Sequence, residues 1–189
     1  LQPFKMAQGG HRLFLNGAGT RAIRFMGMNF KVYVASFYTS STHHVSTAGS
    51  IMERFSHNHN KNINDDSSSD SDADSDNDES CCLYQMDFTF LRSVGQAKVT
   101  QAWREQLQHS VTHTYDGYMF GPIANSGHTE TVQMNVRNGD TLVYDQGEYK
   151  GMIQGNRNFQ KAFLSVWFGE NAVSADLKAG LLGKVLVGG

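Results

Sequence analysis

The chain has 189 residues, 39% of them hydrophobic, and a formal net charge of −2, which suits one globular domain with a sizeable core. Eight of the 18 acidic residues lie between Asp65 and Glu79, so the remaining sequence is mildly basic. No compact run of Lys or Arg indicates a nucleic-acid surface, and no apolar stretch reaches the roughly 18 residues that a membrane span needs. The adjacent Cys81 and Cys82 do not provide a disulfide framework.

The stretch Leu15–Tyr38 predicts a glycine turn followed by a two-stranded β-hairpin. Asn16, Gly17 and Gly19 supply the residues of the turn, because glycine adopts positive φ without a Cβ clash. The sequence that follows is rich in β-branched and aromatic residues, which favour a half-buried strand. The two predicted strands are Thr20–Met26 and Phe30–Tyr38.

A hairpin centred on Gly27 places Arg21 directly opposite Tyr33, with their Cβ atoms about 5 Å apart on one face of the sheet. A guanidinium and a phenol among apolar groups can hold a carboxylate or an enolate. The alternative is an edge-strand Arg21 that extends to solvent while Tyr33 packs in the core. Residues two apart share a face, so the apolar neighbours of the pair are Ile23, Phe25, Ala35 and Phe37.

The segment Ser56–Ser80 interrupts the domain with Ser, Asp, Asn and His, and its composition is too polar to form a core. We predict a disordered acidic insert, residues 56–80, within a single domain of residues 1–189. Three alternatives are a Ca²⁺ loop from Asp70, a metal site at His57 and His59, and phosphorylation of its serines. The Ca²⁺ loop lacks its glycine and its final glutamate, so we favour a solvated tether with no metal.

The remaining sequence predicts strands, then a helix, then strands, then two C-terminal helices, which together define an α+β fold with a mainly antiparallel sheet. A short helix is also predicted at Val45–Phe55. The other predicted strands are Cys82–Leu91, Thr129–Val136, Thr141–Asp145 and Tyr149–Ile153, and the other predicted helices are Gly95–His109, Asn158–Phe168 and Ser174–Leu182.

Local patterns support several of these elements. The first of these strands alternates, with Tyr84, Met86, Phe88 and Phe90 on one side, and the last two strands form a short hairpin around Gln146 and Gly147. The helix Asn158–Phe168 carries an apolar stripe of Phe159, Phe163, Val166 and Trp167. Ser174 is the predicted N-cap of the last helix, and Gly183 follows its end.

Two blocks of sequence resemble the chalcone isomerase fold family, closest to its fatty-acid-binding and bacterial chalcone isomerase-like branches. The first joins Gly17–Arg21 to Lys31–Tyr38, and the second is Asn158–Gly183 with the motif FLSVWFGENAVSADLKAGLLG. The stretch Asn138–Leu142 resembles the preceding strand. The resemblance implies an open-faced β-sandwich, a long sheet covered by helices.

The same resemblance implies roles for the residues of the hairpin. In the fatty-acid-binding branch, Arg and Tyr at the positions of Arg21 and Tyr33 hold the ligand carboxylate. In plant chalcone isomerases the Arg is kept, while Tyr33 is usually Thr and Lys98 stands where a later Tyr is expected. The pair in this chain therefore matches the binding branch.

Three functions follow from these observations. The first is non-catalytic binding of a fatty acid or similar small amphipathic carboxylate, held by Arg21 and Tyr33, with Ile23, Ala35 and Phe37 lining an apolar cleft. The second is an intramolecular lyase that closes chalcone to flavanone, using Arg21 with Tyr33 or Lys98. The third is an interaction module acting through the acidic insert.

No cofactor is expected, and the expected partner is a small molecule. The resemblance implies a plastid or a periplasm, and the Ser/Asp insert favours the plastid. Because the sequence begins at Leu1 rather than Met, any targeting peptide lies outside it.

Overall fold

The computed structural model describes residues 4–7, 10–40, 45–55, 83–95, 101, 105, 123–124 and 127–184. The strands are β1 (Phe4–Met6), β2 (Arg12–Phe25), β3 (Met28–Thr39), β4 (Leu83–Phe90), β5 (Val94–Gly95), β6 (Ile123–Ala124), β7 (Thr129–Asn135), β8 (Thr141–Asp145) and β9 (Glu148–Ile153). The helices are α1 (Ala48–Arg54), α2 (Arg157–Phe168) and α3 (Ala175–Leu181).

Seven strands form one antiparallel sheet in the order β1-β2-β3-β4-β7-β8-β9, and β5 pairs with β6 separately. The predicted α+β class with a mainly antiparallel sheet is confirmed, and its open-faced arrangement follows from helices packed on one face. We call that face the inner face. The predicted acidic insert 56–80 lies outside the described residues, as does most of the predicted helix Gly95–His109. Gly95 itself ends β5 instead of beginning a helix.

The β2–β3 hairpin closes through a two-residue turn. Met26 and Gly27 have φ of 50° and 80°, the left-handed pair that matches the twist of the flanking strands. Gln146 and Gly147 close the β8–β9 hairpin in the same way, with φ of 52° and 83°. Both predicted hairpin tips are therefore confirmed.

The predicted turn at Asn16 and Gly17 is wrong, because β2 runs through both residues. Asn16 is the extra residue of a β-bulge, where pairing shifts between Leu15 and Gly17. Its buried amide donates to the carbonyls of Val45 and Leu181, at 3.0 and 2.9 Å, and its oxygen accepts from the Val45 N–H. Asn16 thus joins the hairpin to α3 and to the segment before α1.

Gly17 and Gly19 permit close packing instead of a turn. A Cβ on Gly17 would lie 2.5 Å from the Leu181 carbonyl oxygen, and one on Gly180 would lie 2.5 Å from the Ala18 oxygen. Two backbones therefore meet directly where α3 crosses β2. The glycines in this stretch are structurally required, but the reason is the close approach of α3 and not a turn.

The core lies between the inner face and the helices. Strand β4 alternates as predicted and directs Tyr84, Met86, Phe88 and Phe90 into the core. On α2 the predicted stripe is also confirmed, and Phe159, Phe163, Val166 and Trp167 are its buried members. None of the helices described is long and apolar enough to cross a membrane.

The boundaries of α3 follow the predicted cap at Ser174 and the predicted stop at Gly183. The Ser174 hydroxyl accepts from the Leu177 N–H at the start of α3, and Gly183 has φ of 67° just past its end. At the start of α2, the Asn156 side chain accepts from the Phe159 N–H at 2.8 Å. These hydrogen bonds define where both helices begin.

Candidate ligand-binding site

The hairpin end of the inner face carries the predicted pair. Arg21 on β2 lies opposite Tyr33 on β3, as the register centred on Gly27 predicts. Closer to the tip the pairing shifts by one residue, because a β-bulge separates the Arg21–Tyr33 pair from the Ala22–Lys31 pair and leaves Val32 as the extra residue. The prediction is therefore right at the site and off by one beyond it.

Tyr33 is held by aromatic neighbours at the edge of the core. Its ring centroid lies 5.7 Å from that of Phe88 and 5.9 Å from that of Phe90, both in edge-on arrangements. The Trp167 Nε1 donates to the Tyr33 hydroxyl oxygen at 3.4 Å. Burial raises the pKa of Tyr33 above its ordinary value, outweighing the Trp167 hydrogen bond and the nearby Arg21 charge, which lower it. The phenol is therefore protonated at neutral pH.

The direction of the Trp167 bond leaves the phenol proton of Tyr33 unused. An indole N–H is a donor only, so the Tyr33 oxygen must be the acceptor. Within the described part of the chain, no acceptor pairs with the Tyr33 proton. Tyr33 can therefore donate one hydrogen bond to a ligand at this end of the sheet.

Arg21 also has unused hydrogen-bond donors. Its Nη1 donates to the Ala22 carbonyl oxygen at 2.8 Å, and the side chain is partly buried. Among the described residues, no carboxylate forms an ion pair with this guanidinium, which offers five N–H donors in a planar fork. The pair thus presents a cation and a neutral hydroxyl donor on one face, without an anion between them.

Sequence reasoning missed a second polar group on the same face. Glu130 on β7 lies opposite Phe88 on β4 and opposite Asp145 on β8. The His128 Nε2 lies 2.8 Å from an Asp145 oxygen and 3.8 Å from a Glu130 oxygen. We call these three residues, His128, Glu130 and Asp145, the acid–imidazole cluster. One signal was available, because Glu130 shares its face with Val132 and Met134 in an alternating strand and so occupies an inward position.

Glu130 is an unusual carboxyl. It is 3% exposed, and its Oε2 has no hydrogen-bond partner in the described ranges. Burial and, to a lesser degree, the Asp145 charge raise the pKa of Glu130 to about 8. The carboxyl is therefore mostly protonated at neutral pH. No three His, Cys, Asp or Glu side chains in the described ranges are arranged to hold a metal ion.

The structure places the other predicted lining residues at different depths. Ile23 is 46% exposed near the hairpin tip, whereas Ala35 and Phe37 are completely buried. The Phe37 ring packs 5.5 Å from that of Tyr84 and 5.0 Å from that of Phe168. Lys98, the residue assigned only under the lyase hypothesis, lies outside the described residues.

This antiparallel sheet with helices on one face agrees with the open-faced arrangement that the sequence resemblance implied. A model of the chalcone isomerase-like family matches residues 2–183. The chain belongs to the chalcone isomerase-like family, as the sequence resemblance indicated.

One solved structure with this fold is the crystal structure of a fatty-acid binding protein from Arabidopsis thaliana. It matches with a TM-score of 0.58 over 95% of each chain, at 13% sequence identity. At that identity the likeness establishes the fold alone. The curated proteins searched contain no match to this sequence.

Proposed function

We propose that this protein binds a fatty acid or a similar small amphipathic carboxylate at the hairpin end of the inner face. The carboxylate accepts hydrogen bonds from the Arg21 guanidinium and from the Tyr33 hydroxyl. The acyl chain starts beside Ile23 on the inner face, and it contacts Ala35 and Phe37, which are completely buried, only where the core next to them opens. The structural neighbour from Arabidopsis, which is a fatty-acid binding protein, supports this choice of ligand class.

The observation that carries the proposal is the pair of unused donors. Arg21 and Tyr33 are paired across β2 and β3, and within the described residues neither donates to a carboxylate. A partly buried guanidinium is costly without an anion, and planar carboxylates match its fork. A neutral phenol next to it adds a second donor without adding charge. Together they select an anionic, planar acceptor.

The environment of the pair favours an apolar body on the ligand. Ile23, two residues from Arg21 on the same strand face, is 46% exposed, and Tyr33 is only partly buried at the edge of the core. A fully hydrophilic anion would gain nothing from these side chains, whereas each methylene buried against them contributes about 0.8 kcal/mol. The combination of donors and accessible apolar side chains fits an amphipathic acid.

Isothermal titration of the purified protein with palmitate tests the proposal, with hexadecanol as the uncharged ligand of the same chain length. Arg21→Ala should weaken palmitate binding by about 10–100-fold, because a hydrogen bond to a charged group contributes about 1.5–3 kcal/mol. Arg12→Ala is the matched control, because Arg12 lies on the same strand at its far end. Equal affinities for palmitate in the wild type and in Arg21→Ala would contradict the proposal.

The lyase hypothesis predicts a different result from the same protein. Closure of naringenin chalcone abolishes its visible absorbance band, so the reaction can be followed directly. Acceleration above the spontaneous rate, lost in Arg21→Ala, would replace binding by catalysis as the role of the pair. We expect no acceleration, because the plant isomerases usually have Thr at the position of Tyr33 and Tyr at the position of Lys98, so this chain keeps only the Arg of that set.

A further inference from the structure

The tip of the β2–β3 hairpin combines exposed apolar and basic side chains. Of the large hydrophobic side chains that are exposed among the described residues, half lie at this end of the sheet. Met26 is 82% exposed and Met28 is 58% exposed. The apolar members of this surface, which we call the tip surface, are Ile23, Met26, Met28 and Leu91.

Basic side chains lie on the same segments as these apolar residues. Arg24 and Lys31 are exposed on the outer face of the hairpin, where the register places them on neighbouring strands. Arg92 is also exposed and lies 5.1 Å above the centroid of the Phe30 ring. The basic members of the tip surface are Arg24, Lys31 and Arg92.

The segments that build the tip surface contain no acidic residue. The first acidic residue in the sequence is Glu53, which follows the whole hairpin. The segment after β4 has none before Glu105. The sequence therefore keeps negative charge away from both contributing segments, and the surface is complementary to an anion-rich partner.

We propose that the tip surface docks the protein on the surface of an anionic lipid bilayer. Met26 and Met28 enter the boundary between headgroups and acyl chains, while Arg24, Lys31 and Arg92 remain at the level of the lipid phosphates. Long basic side chains suit this position, because their methylenes contact apolar groups while their charges stay in water. The methionines are unbranched and adapt to an irregular apolar surface.

The arrangement favours a bilayer over a protein partner. The most exposed apolar residues of the tip surface, Met26 and Met28, lie in and directly after the two-residue turn. A bilayer surface deforms to accommodate such a tip, whereas a protein partner would need a pocket of matching shape. Apolar anchors with flanking cations are also the combination that binds peripheral proteins to anionic membranes. This inference does not depend on the ligand proposed above.

Vesicle co-sedimentation of the full chain tests the inference. Vesicles of phosphatidylcholine with phosphatidylglycerol should bind the protein, and vesicles of phosphatidylcholine alone should bind it at least several-fold more weakly. Binding to the anionic vesicles should fall as added salt shortens the Debye length from about 10 Å at 0.1 M to about 3 Å at 1 M. Binding that is equal to both vesicle types and insensitive to salt would overturn the inference.

Met26→Asp tests the apolar contribution and should weaken binding to anionic vesicles by about tenfold or more. Asp tolerates the φ of 50° at this position, so the turn is preserved. The matched control is Met6→Asp, because Met6 is 60% exposed on β1, at the other end of β2. Equal losses in both variants would show that added charge alone, and not the tip, decides binding.

Arg24→Gln with Lys31→Gln tests the basic contribution and should remove the preference for anionic vesicles. Lys150→Gln, on β9 at the opposite edge of the sheet, should leave that preference intact. Light scattering checks for a second occupant, namely another copy of this chain. A dimer that Met26→Asp dissociates, combined with no vesicle binding by the wild type, would assign the tip surface to self-association instead.

Discussion

At one end of the inner face, Phe37, Phe163 and Phe168 pack under the helices and are at most 1% exposed. At the other end, Arg21, Tyr33 and Glu130 occupy the same sheet face and leave polar atoms without partners among the described residues. The first end contributes apolar burial and close backbone contact. At the second end, polar groups are removed from water without hydrogen-bond partners, which destabilises the fold, and the burial of apolar area there does not offset this.

The outer face of the same strands shows that this chain can pair its charges. Asp87 on β4 forms an ion pair with Lys5 and accepts hydrogen bonds from Gln85 and Thr131 at 2.8 and 2.9 Å. That carboxylate is partnered on three sides. The unpaired donors at the hairpin end are therefore a local property of the inner face, which supports a ligand as their partner.

Removing an aromatic side chain from the packed end should have the largest effect. Phe163→Ala should lower the free energy of unfolding by about 3–5 kcal/mol, because it leaves a cavity next to Trp167, whose ring centroid lies 4.7 Å away. Ile23→Ala, at the exposed end, should cost under about 1 kcal/mol. Urea denaturation measures both. Equal losses of unfolding free energy in the two variants would contradict the claim that the two ends differ in packing.

The backbone contact between β2 and α3 gives the next effect. Gly17→Ala should destabilise the fold by about 3 kcal/mol, because its Cβ meets the carbonyl oxygens of Gly180 and Leu181. Gly49→Ala is the control, since a Cβ there meets nothing within 4 Å, and it should stabilise α1 by up to about 1 kcal/mol. If Gly17→Ala is as stable as the wild type in urea, the helix does not lie directly on the strand.

The acid–imidazole cluster gives a smaller effect that depends on pH. The pKa of Glu130 is raised from 4.5 to about 8. The contribution of this carboxyl to the free energy of unfolding is therefore fully present below pH 4.5 and is lost as the pH rises toward 8. The slope is at most about 1.4 kcal/mol per pH unit. Glu130→Gln should remove this slope between pH 6 and 8, as measured by urea denaturation at each pH.

Glu148→Gln is the control for that measurement, because Glu148 is fully exposed next to Lys150. Its replacement should leave the slope between pH 6 and 8 unchanged. A wild type whose stability does not fall over this range would show that the Glu130 carboxyl is not held protonated by its surroundings.

Much of the fold could be predicted, because local patterns and tertiary packing agree. The alternation of β4, the stripe of α2 and the Ser174 cap each specify one structure. The turn predicted at Asn16 and Gly17 failed, because glycine serves both a turn and a close helix contact, and only the position of α3 decides between them.

The site was predicted in part for a similar reason. The register from Gly27 placed Arg21 opposite Tyr33 because an antiparallel hairpin is a local structure, but it could not reveal the bulge at Val32. The acid–imidazole cluster depends on the pairing of β4, β7 and β8, whose order in the sheet no local pattern specifies. The sequence therefore showed Glu130 only as an acidic residue at an inward position of an alternating strand and could not predict its neighbours.

The central claim is that the unpaired donors of Arg21 and Tyr33 hold a ligand carboxylate. Calorimetric titration of palmitate into Arg21→Ala, beside Arg12→Ala and the wild type, tests it most directly. We predict an affinity about 10–100-fold lower in Arg21→Ala alone, with a free energy of unfolding within about 1 kcal/mol of the wild type. A folded Arg21→Ala that binds palmitate as tightly as the wild type would contradict the claim.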